Sequence, residues 1–245
     1  MKFAIAPLLA AALLAPSAHA ALQGRDLDPA KAGFEAYYDT DLNISWLTDF
    51  GYVAHSGFDA DARLSWNDAQ AWIAGLNQQH LYGLDGWRLP TVSPVNGSSF
   101  QLGSTNNGHT DVGVAATGTG WGTASEMGHL YYVTLGNKGL CTPTVLGSDA
   151  CSTQPGWSPT AKNFGPFTGL TTFVFWSGTT LPSQTNQAFY FYAYYGNQDV
   201  ALKTQTYSAI AVRDGDVAAA VPEPGAAALM LGGLAGLGLR ARRRR

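Results

Sequence analysis

Charge is scarce in this chain: Asp, Glu, Lys and Arg supply 13% of its 245 residues, and the basic residues do not outnumber the acidic ones. Recognition of nucleic acid needs a clustered basic footprint, so that class is set aside. Catalytic signatures are missing as well. There is no G-x-S-x-G, no Walker A loop, no dinucleotide fingerprint and no H-E-x-x-H. His55, His80, His109 and His129 show no metal-ligand spacing. Long helical patterns are few, and we find neither an internal repeat nor a long low-complexity linker. What remains is rich in Gly, Thr, Ser and Asn, and 12% of the residues are aromatic. Such a composition fits a loop-rich extracellular domain.

Long apolar runs are confined to the two ends. The chain opens with Lys2, an apolar run from Phe3 to Pro16, and Ala18-His19-Ala20. This order of charge, apolar stretch and small-residue site reads as a secretory signal cleaved after Ala20. The chain closes with Val221-Pro222-Glu223-Pro224, then only Ala, Leu, Met or Gly from Ala226 to Leu239, then Arg240 and Arg242–Arg245. That run is shorter than the roughly 17–25 residues of an untilted span. Counted from Val221 it becomes a marginal span, and the arginines would stay cytoplasmic. These three parts resemble the PEP-CTERM sorting signal. The resemblance implies a Gram-negative exporter, transient anchoring in the inner membrane, cleavage near Pro-Glu-Pro by an exosortase, and delivery to the cell surface or an exopolysaccharide matrix. Residues 1–20 and 221–245 are then addresses, read by signal peptidase and exosortase, around one domain at 21–220.

Removing both ends changes the charge balance. Lys2 and the five terminal arginines leave, so 8 of 14 basic residues remain; only Glu223 leaves, so 16 of 17 acidic residues remain. The domain carries about −8 where the whole chain carries −3. About 200 residues are enough for one sizeable core. Cys141 and Cys151 sit close in sequence, and in an oxidising compartment such a pair usually closes a disulfide. The rival is a pair of free thiols, one of them nucleophilic. No His lies near either in sequence, which favours the bridge.

Two helices are legible. In "LSWNDAQAWIAGLN" Ser65 caps and Asp68 follows three residues on, while Trp66, Ala69, Trp72, Ile73 and Leu76 share a face. In "SEMGHLYYVTLGN" Ser125 caps, Met127, Leu130, Tyr131 and Leu135 recur at helical spacing, and Gly136-Asn137 closes it. A hairpin is expected across Tyr37-Tyr38 and Ile44–Leu47, and strands over Phe173–Thr180 and Ala209–Arg213. "AFYFYAYYGNQDVALK" alternates, with Phe189, Phe191, Ala193 and Tyr195 on one face and Tyr190, Tyr192 and Tyr194 on the other. A turn at Gly196-Asn197 leads into Val200–Leu202. The stretch Val92–Ser125 is long for a plain loop, which suggests a functional or disordered segment.

The succession "WLTD", "WNDAQAWIAGLN", "GWRLPT", "SEMGHLYY", "FWSGTT", "AFYFYAYYGNQD", "AIAVRDGD" resembles the Lcl C-terminal domain family over Phe34–Val217. Its best markers are Trp87-Arg88-Leu89-Pro90-Thr91, Phe175-Trp176-Ser177 and Ala211-Val212-Arg213. The resemblance implies an α+β, C-type-lectin-like fold: two helices packed on twisted antiparallel sheets, with a long loop region that recognises ligand. "RLPT" before a Glu-led helix is also similar to the formylglycine-generating enzyme fold. There the helix follows at once; here Val92–Ala124 intervene, and no cysteine pair lies near the chain end, so the oxidase activity does not carry over. Trp66-Asn67-Asp68 spells part of a calcium-lectin site but sits at a capped helix start. Gln154-Pro155-Gly156 lacks the second carboxylate or amide of that site.

Weighing single residues gives a short list. Arg88 suits a buried carboxylate better than a ligand, and Arg213 beside Asp214 and Asp216 suits an ion pair. Asp39, Asp41 and Asn43, like Asp214–Asp216, are oxygen-rich enough for Ca²⁺, yet neither meets the twelve-residue EF-hand pattern; turns are expected, and no cofactor or metal. The row Tyr190, Tyr192, Tyr194 is the candidate ligand surface, since aromatic faces bury sugar rings while phenols hydrogen-bond. Its rival role is packing beneath the long loop. The expected function is a non-enzymatic, adhesin-type domain binding exopolysaccharide or another glycan through the Val92–Ser125 and Cys141–Thr171 loops, with no catalytic residues. The alternatives are a secreted enzyme acting on the matrix, which needs a cleft with paired carboxylates, and a self-assembling structural protein.

Overall fold

The computed structural model describes residues 22–116, 120–142, 150–170 and 173–217. The expected signal with Ala20 and the sorting segment at Val221-Pro222-Glu223-Pro224 lie outside the described residues. Nine short strands and three α-helices are described: β1 Leu22–Arg25, β2 Ala36–Asp39, β3 Ile44–Leu47, α1 Tyr52–His55, α2 Trp66–Gln78, β4 Trp87–Arg88, β5 Gly113–Val114, α3 Glu126–His129, β6 Val174–Thr180, β7 Gln187–Tyr192, β8 Asn197–Leu202 and β9 Val212–Asp214. They form two antiparallel sheets, ordered β1-β2-β3-β9-β4 and β5-β8-β7-β6. The architecture is therefore α+β. No helix among the described residues is long and apolar enough to cross a membrane.

The first sheet closes the domain on itself, because β9 near the C-terminal end inserts between β3 and β4. Its hairpin pairs Tyr37 with Trp46 and Asp39 with Ile44. Asp39 is fully buried, and its carboxylate accepts from the backbone N–H of Asp41 and Leu42 and from the Thr134 hydroxyl. That oxygen cluster is a satisfied turn. The strand expected over Ala209–Arg213 is shifted: Ala209–Ala211 run through the core without ladder pairing, and β9 begins at Val212. Ser208 N–H bonds the Val174 carbonyl and Leu47 N–H bonds the Ala211 carbonyl, so this segment stitches the two sheets together.

α2 follows its pattern. The Ser65 hydroxyl accepts from Asp68 N–H at 3.2 Å and donates to the Asp68 carboxylate at 2.6 Å. Ala69, Trp72, Ile73 and Leu76 are buried, packed with Trp87, Leu89 and Trp176. Burial of Ile73, Leu76 and Leu89 contributes about 1.5–3 kcal/mol each. Trp66 differs from its neighbours on that face: it is half-buried, and its indole N–H donates to the Ser177 carbonyl at 2.8 Å.

The second helix departs from expectation in kind. Ser125 caps it by accepting from Gly128 N–H at 2.9 Å. After one α-turn the chain widens into a π-helix over Leu130–Thr134, where Leu135 N–H reaches back to the Leu130 carbonyl. The extra residue per turn lets Tyr131 and Tyr132 both enter the core. Their hydroxyls donate to the carbonyls of Lys138 and Gly196. Gly136, at φ +65°, ends the helix.

The described residues of the long stretch, 92–116 and 120–125, are built into the fold. β5 pairs with β8, and Phe100 packs on Phe189 with ring centroids 4.7 Å apart. Asp111 is fully buried; its carboxylate accepts from the N–H of Val95 and Gln101, and its carbonyl from the Gln198 amide. Burial raises the Asp111 carboxyl above the usual range, and those two N–H donors pull it back in part. The disulfide between Cys141 and Cys151 is present, so neither sulfur is a free thiol.

Candidate functional site

The strand pairing decides which face of the second sheet each tyrosine occupies. Tyr190 lies opposite Trp176 and Asp199, and Tyr192 opposite Val174 and Asn197. These residues share one face. Phe189, Phe191, Gln198 and Phe175 occupy the other, and all four are buried. The long stretch packs on that second face, through Val92, Phe100 and Val112 against Phe189 and Leu181. These residues of the stretch therefore pack on the face opposite Tyr190 and Tyr192.

The row itself divides. Tyr190 sits 5.0 Å from Tyr207, whose ring lies 4.6 Å from Trp176, and burial pushes its phenol up to about 12. This end anchors the sheet face to the α2 core. Tyr192 and Tyr194 stack at 5.9 Å with planes 24° apart, and Tyr195 meets both edge-on at 5.1 and 4.7 Å. Tyr195 was expected with Phe189 and Phe191. Strand alternation instead ends at Ala193, because a turn follows in which Gly196 N–H bonds the Tyr192 carbonyl. Gly196 adopts φ +74°, and a β-carbon there would strike the Tyr131 and Tyr132 side chains. The turn drives Tyr194 and Tyr195 outward together.

Trp157 completes the surface, and nothing in its sequence surroundings marked it. It stacks near Tyr195 at 6.3 Å with planes 24° apart and meets Tyr194 at 6.1 Å. Its loop is held by Gln154, whose amide donates to the carbonyls of Ala116, Gly139 and Cys141. The Cys141–Cys151 bridge closes the segment just before it in the chain. Lys162 lies over Trp157 at 5.1 Å and over Tyr131 at 5.5 Å, and burial lowers its ammonium to about 8. At the opposite end Asp199 is half-buried, and burial raises its carboxyl despite a bond from Val200 N–H. Asn197 Oδ1 and Trp157 Nε1 are buried without hydrogen-bond partners among the described residues. The result is an aromatic band with a carboxylate at the Tyr190 end and an ammonium at the Trp157 end.

A concave site lies elsewhere. A cleft of about 350 Å³ is walled by Phe34, Tyr37 and Tyr82, with Thr48, Asp49 and Glu35 among its lining. Glu35 accepts from Leu27 and Asp28 N–H. Asp49 accepts from Gly51 N–H and lies 2.5 Å from His55 Nδ1.

Arg88 is structural, as its setting suggested. It makes a two-pronged pair with Glu126 at 2.7 and 2.8 Å and reaches Asp214. Burial works against its charge, but Glu126 and Asp214 outweigh that and raise its pKa. Arg213 donates to the Asp85 carbonyl and to its neighbour's carbonyl at Asp214; Asp216 pairs with Arg25. No group of three His, Cys, Asp or Glu gathers as a metal site would among the described residues. Compared with family models, with curated proteins and with solved structures, the chain matches none.

Proposed function

We propose that this chain is an exported, exosortase-processed surface or matrix protein whose C-type-lectin-like domain binds glycan without catalysis. The carrying observation is the aromatic band of Tyr192, Tyr194, Tyr195 and Trp157, a continuous chain of ring contacts in which Tyr195 is exposed and the other three are half-buried. Aromatic faces cover the apolar side of a sugar ring, and phenol and amide groups at the rim take its hydroxyls. The export part rests on the two terminal segments, and the disulfide is consistent with an oxidising compartment. The lectin-like assignment rests on the Trp87–Thr91, Phe175–Ser177 and Ala211–Arg213 markers, and two antiparallel sheets flanked by helices are compatible with it. Buried carboxylates at Glu126 and Asp111 are committed to structural hydrogen bonds, which suits a binding domain.

Residues 21–220, displayed to a glycan array beside Tyr194→Ala and Trp157→Ala, test the reading. Binding by the parent that weakens in both variants supports it. Silence across acidic and neutral polysaccharides removes it.

A matrix-degrading enzyme has one observation on its side, the presence of Glu35 and Asp49 in a single cleft. Both carboxylates are engaged by backbone N–H, so we rank it second. Release of reducing ends from exopolysaccharide by the parent but not by Asp49→Asn would reverse that order.

A further inference from the structure

Among the described residues, three of the domain's eight basic residues pair with carboxylates. Arg25 is held by Asp216, Lys31 by Asp28, and Arg88 by Glu126 and Asp214. Arg63, Lys138, Lys162, Lys203 and Arg213 make no such pair among the described residues, and of these five Lys138 and Lys162 lie at the aromatic band. Neither has a carboxylate within ion-pair distance among the described residues, although the domain carries twice as many acidic as basic side chains. Both stand beside Trp157. Lys162 lies over its ring, and Lys138 sits next to Gly156, donating to the Pro155 carbonyl at 3.0 Å. Lys162 is half-buried between Trp157 and Tyr131, where ring faces replace a counter-ion. Burial with no compensating anion lowers its basicity, so this ammonium is held in place at a cost to the fold.

We propose that the aromatic band takes an anionic glycan, with Lys162 and Lys138 as counter-ions to carboxylate groups carried by sugar rings stacked on Trp157 and Tyr194. This rests on the glycan-binding reading above and names its ligand class. A carboxylate docked at Trp157 supplies an anion that Lys162 lacks among the described residues, in a partly desolvated setting where the pairing is worth more than at an open surface. The domain's overall negative charge does not forbid this. At physiological ionic strength charges beyond about 8 Å are screened, so the local pair of lysines governs contact. Asp199 at the far end repels a second carboxylate and accepts hydroxyls. The band therefore prefers a chain with its acidic group at the Trp157 end.

The experiment is titration of the purified protein with polygalacturonate, dextran and dextran sulfate, comparing the parent with Lys162→Gln, Lys162→Arg, Lys138→Gln and Tyr194→Ala. Arg240 and Arg242–Arg245 are common to all variants, so differences between variants report the band and not the tail. We expect Lys162→Gln to weaken polygalacturonate at least fivefold and leave dextran unchanged. Lys138→Gln is expected to act in the same direction more weakly, Lys162→Arg to restore binding, and Tyr194→Ala to weaken both polygalacturonate and dextran. Equal loss of dextran and polygalacturonate in Lys162→Gln overturns the anionic preference and leaves glycan binding intact. No binding to any polysaccharide overturns both. Polygalacturonate binding that ignores Tyr194→Ala, with dextran sulfate bound as well, reduces the effect to bulk charge and overturns the proposal. Unchanged near-ultraviolet circular dichroism in each variant excludes a folding defect.

Discussion

Replacing Arg88 with methionine removes the cation that joins β4, α3 and β9, and its cost follows from what is left behind. The Glu126 side chain is 11% exposed and loses two hydrogen bonds from the guanidinium, keeping only the one from Thr91 N–H. Breaking a fully buried pair from one side costs about 3–5 kcal/mol. Arg88 is itself 27% exposed, which lowers the expectation to about 2–4 kcal/mol. Asp214, at 80% exposure, contributes little, so Asp214→Asn is expected to cost under about 1 kcal/mol. Removing both partners with apolar side chains, as Arg88→Met with Glu126→Leu, leaves no stranded charge. The double variant is expected to be more stable than Arg88→Met alone. Urea unfolding followed by tryptophan fluorescence reads all four proteins, with an unchanged slope as the check that midpoints can be compared. A double variant no more stable than Arg88→Met alone, or a cost for Arg88→Met no larger than for Asp214→Asn, would refute the reasoning.

Four further outcomes follow from the same geometry. Reducing the Cys141–Cys151 bridge, or Cys141→Ser with Cys151→Ser, opens a loop with a sequence separation of 10 and is expected to cost about 2–3 kcal/mol in thermal unfolding. Ser65→Ala removes the α2 cap and is expected to cost about 1 kcal/mol in the same assay. Gly196→Ala forces φ +74° on a residue with a β-carbon that meets Tyr131 and Tyr132; loss of stability together with loss of glycan binding is expected, because that turn presents Tyr194 and Tyr195. Lys162 has its pKa lowered by burial to about 8, so between there and the usual lysine range the unfolded chain binds more protons. Its contribution to stability therefore rises with pH across that window and is smallest below it. Lys162→Gln is expected to stabilise the fold at pH 7 and to gain less over the parent at pH 10, read by denaturant midpoints.

Local chemistry was legible and long-range geometry was not. Ser65 and its i, i+3, i+4, i+7 partners announced α2 because cap and face lie within one window. Ile44–Leu47 and Gln187–Tyr192 showed strand character for the same reason, and the proximity of the two cysteines suggested their bridge. The π-turn at Leu130–Thr134 was hidden, since it depends on two tyrosines finding carbonyls at Lys138 and Gly196. Tyr195 was placed on the wrong face because a period of two was extended past the point where Gly196 turns the chain. Trp157 sits in a stretch of Gly, Pro, Ser and Thr with no periodicity, and only the folded contact with Tyr194 reveals it. The cleft of Phe34, Tyr82, Asp49 and Pro166 is drawn from four separated segments, so no local signal could mark it. Arg88 stood out as an isolated cation, but its partner Glu126, 38 residues away, was visible only in the fold.

The proposed glycan binding depends on the rings of Tyr192, Tyr194, Tyr195 and Trp157 acting as a sugar-stacking surface. Its most direct measurement is co-sedimentation of the parent and of Tyr192→Ala/Tyr194→Ala with exopolysaccharide, at matched stability. Each lost stacking ring is expected to remove about 0.5–1.5 kcal/mol, so the double variant falls roughly five- to 140-fold in affinity. Equal sedimentation of both proteins at every polysaccharide concentration would contradict the account.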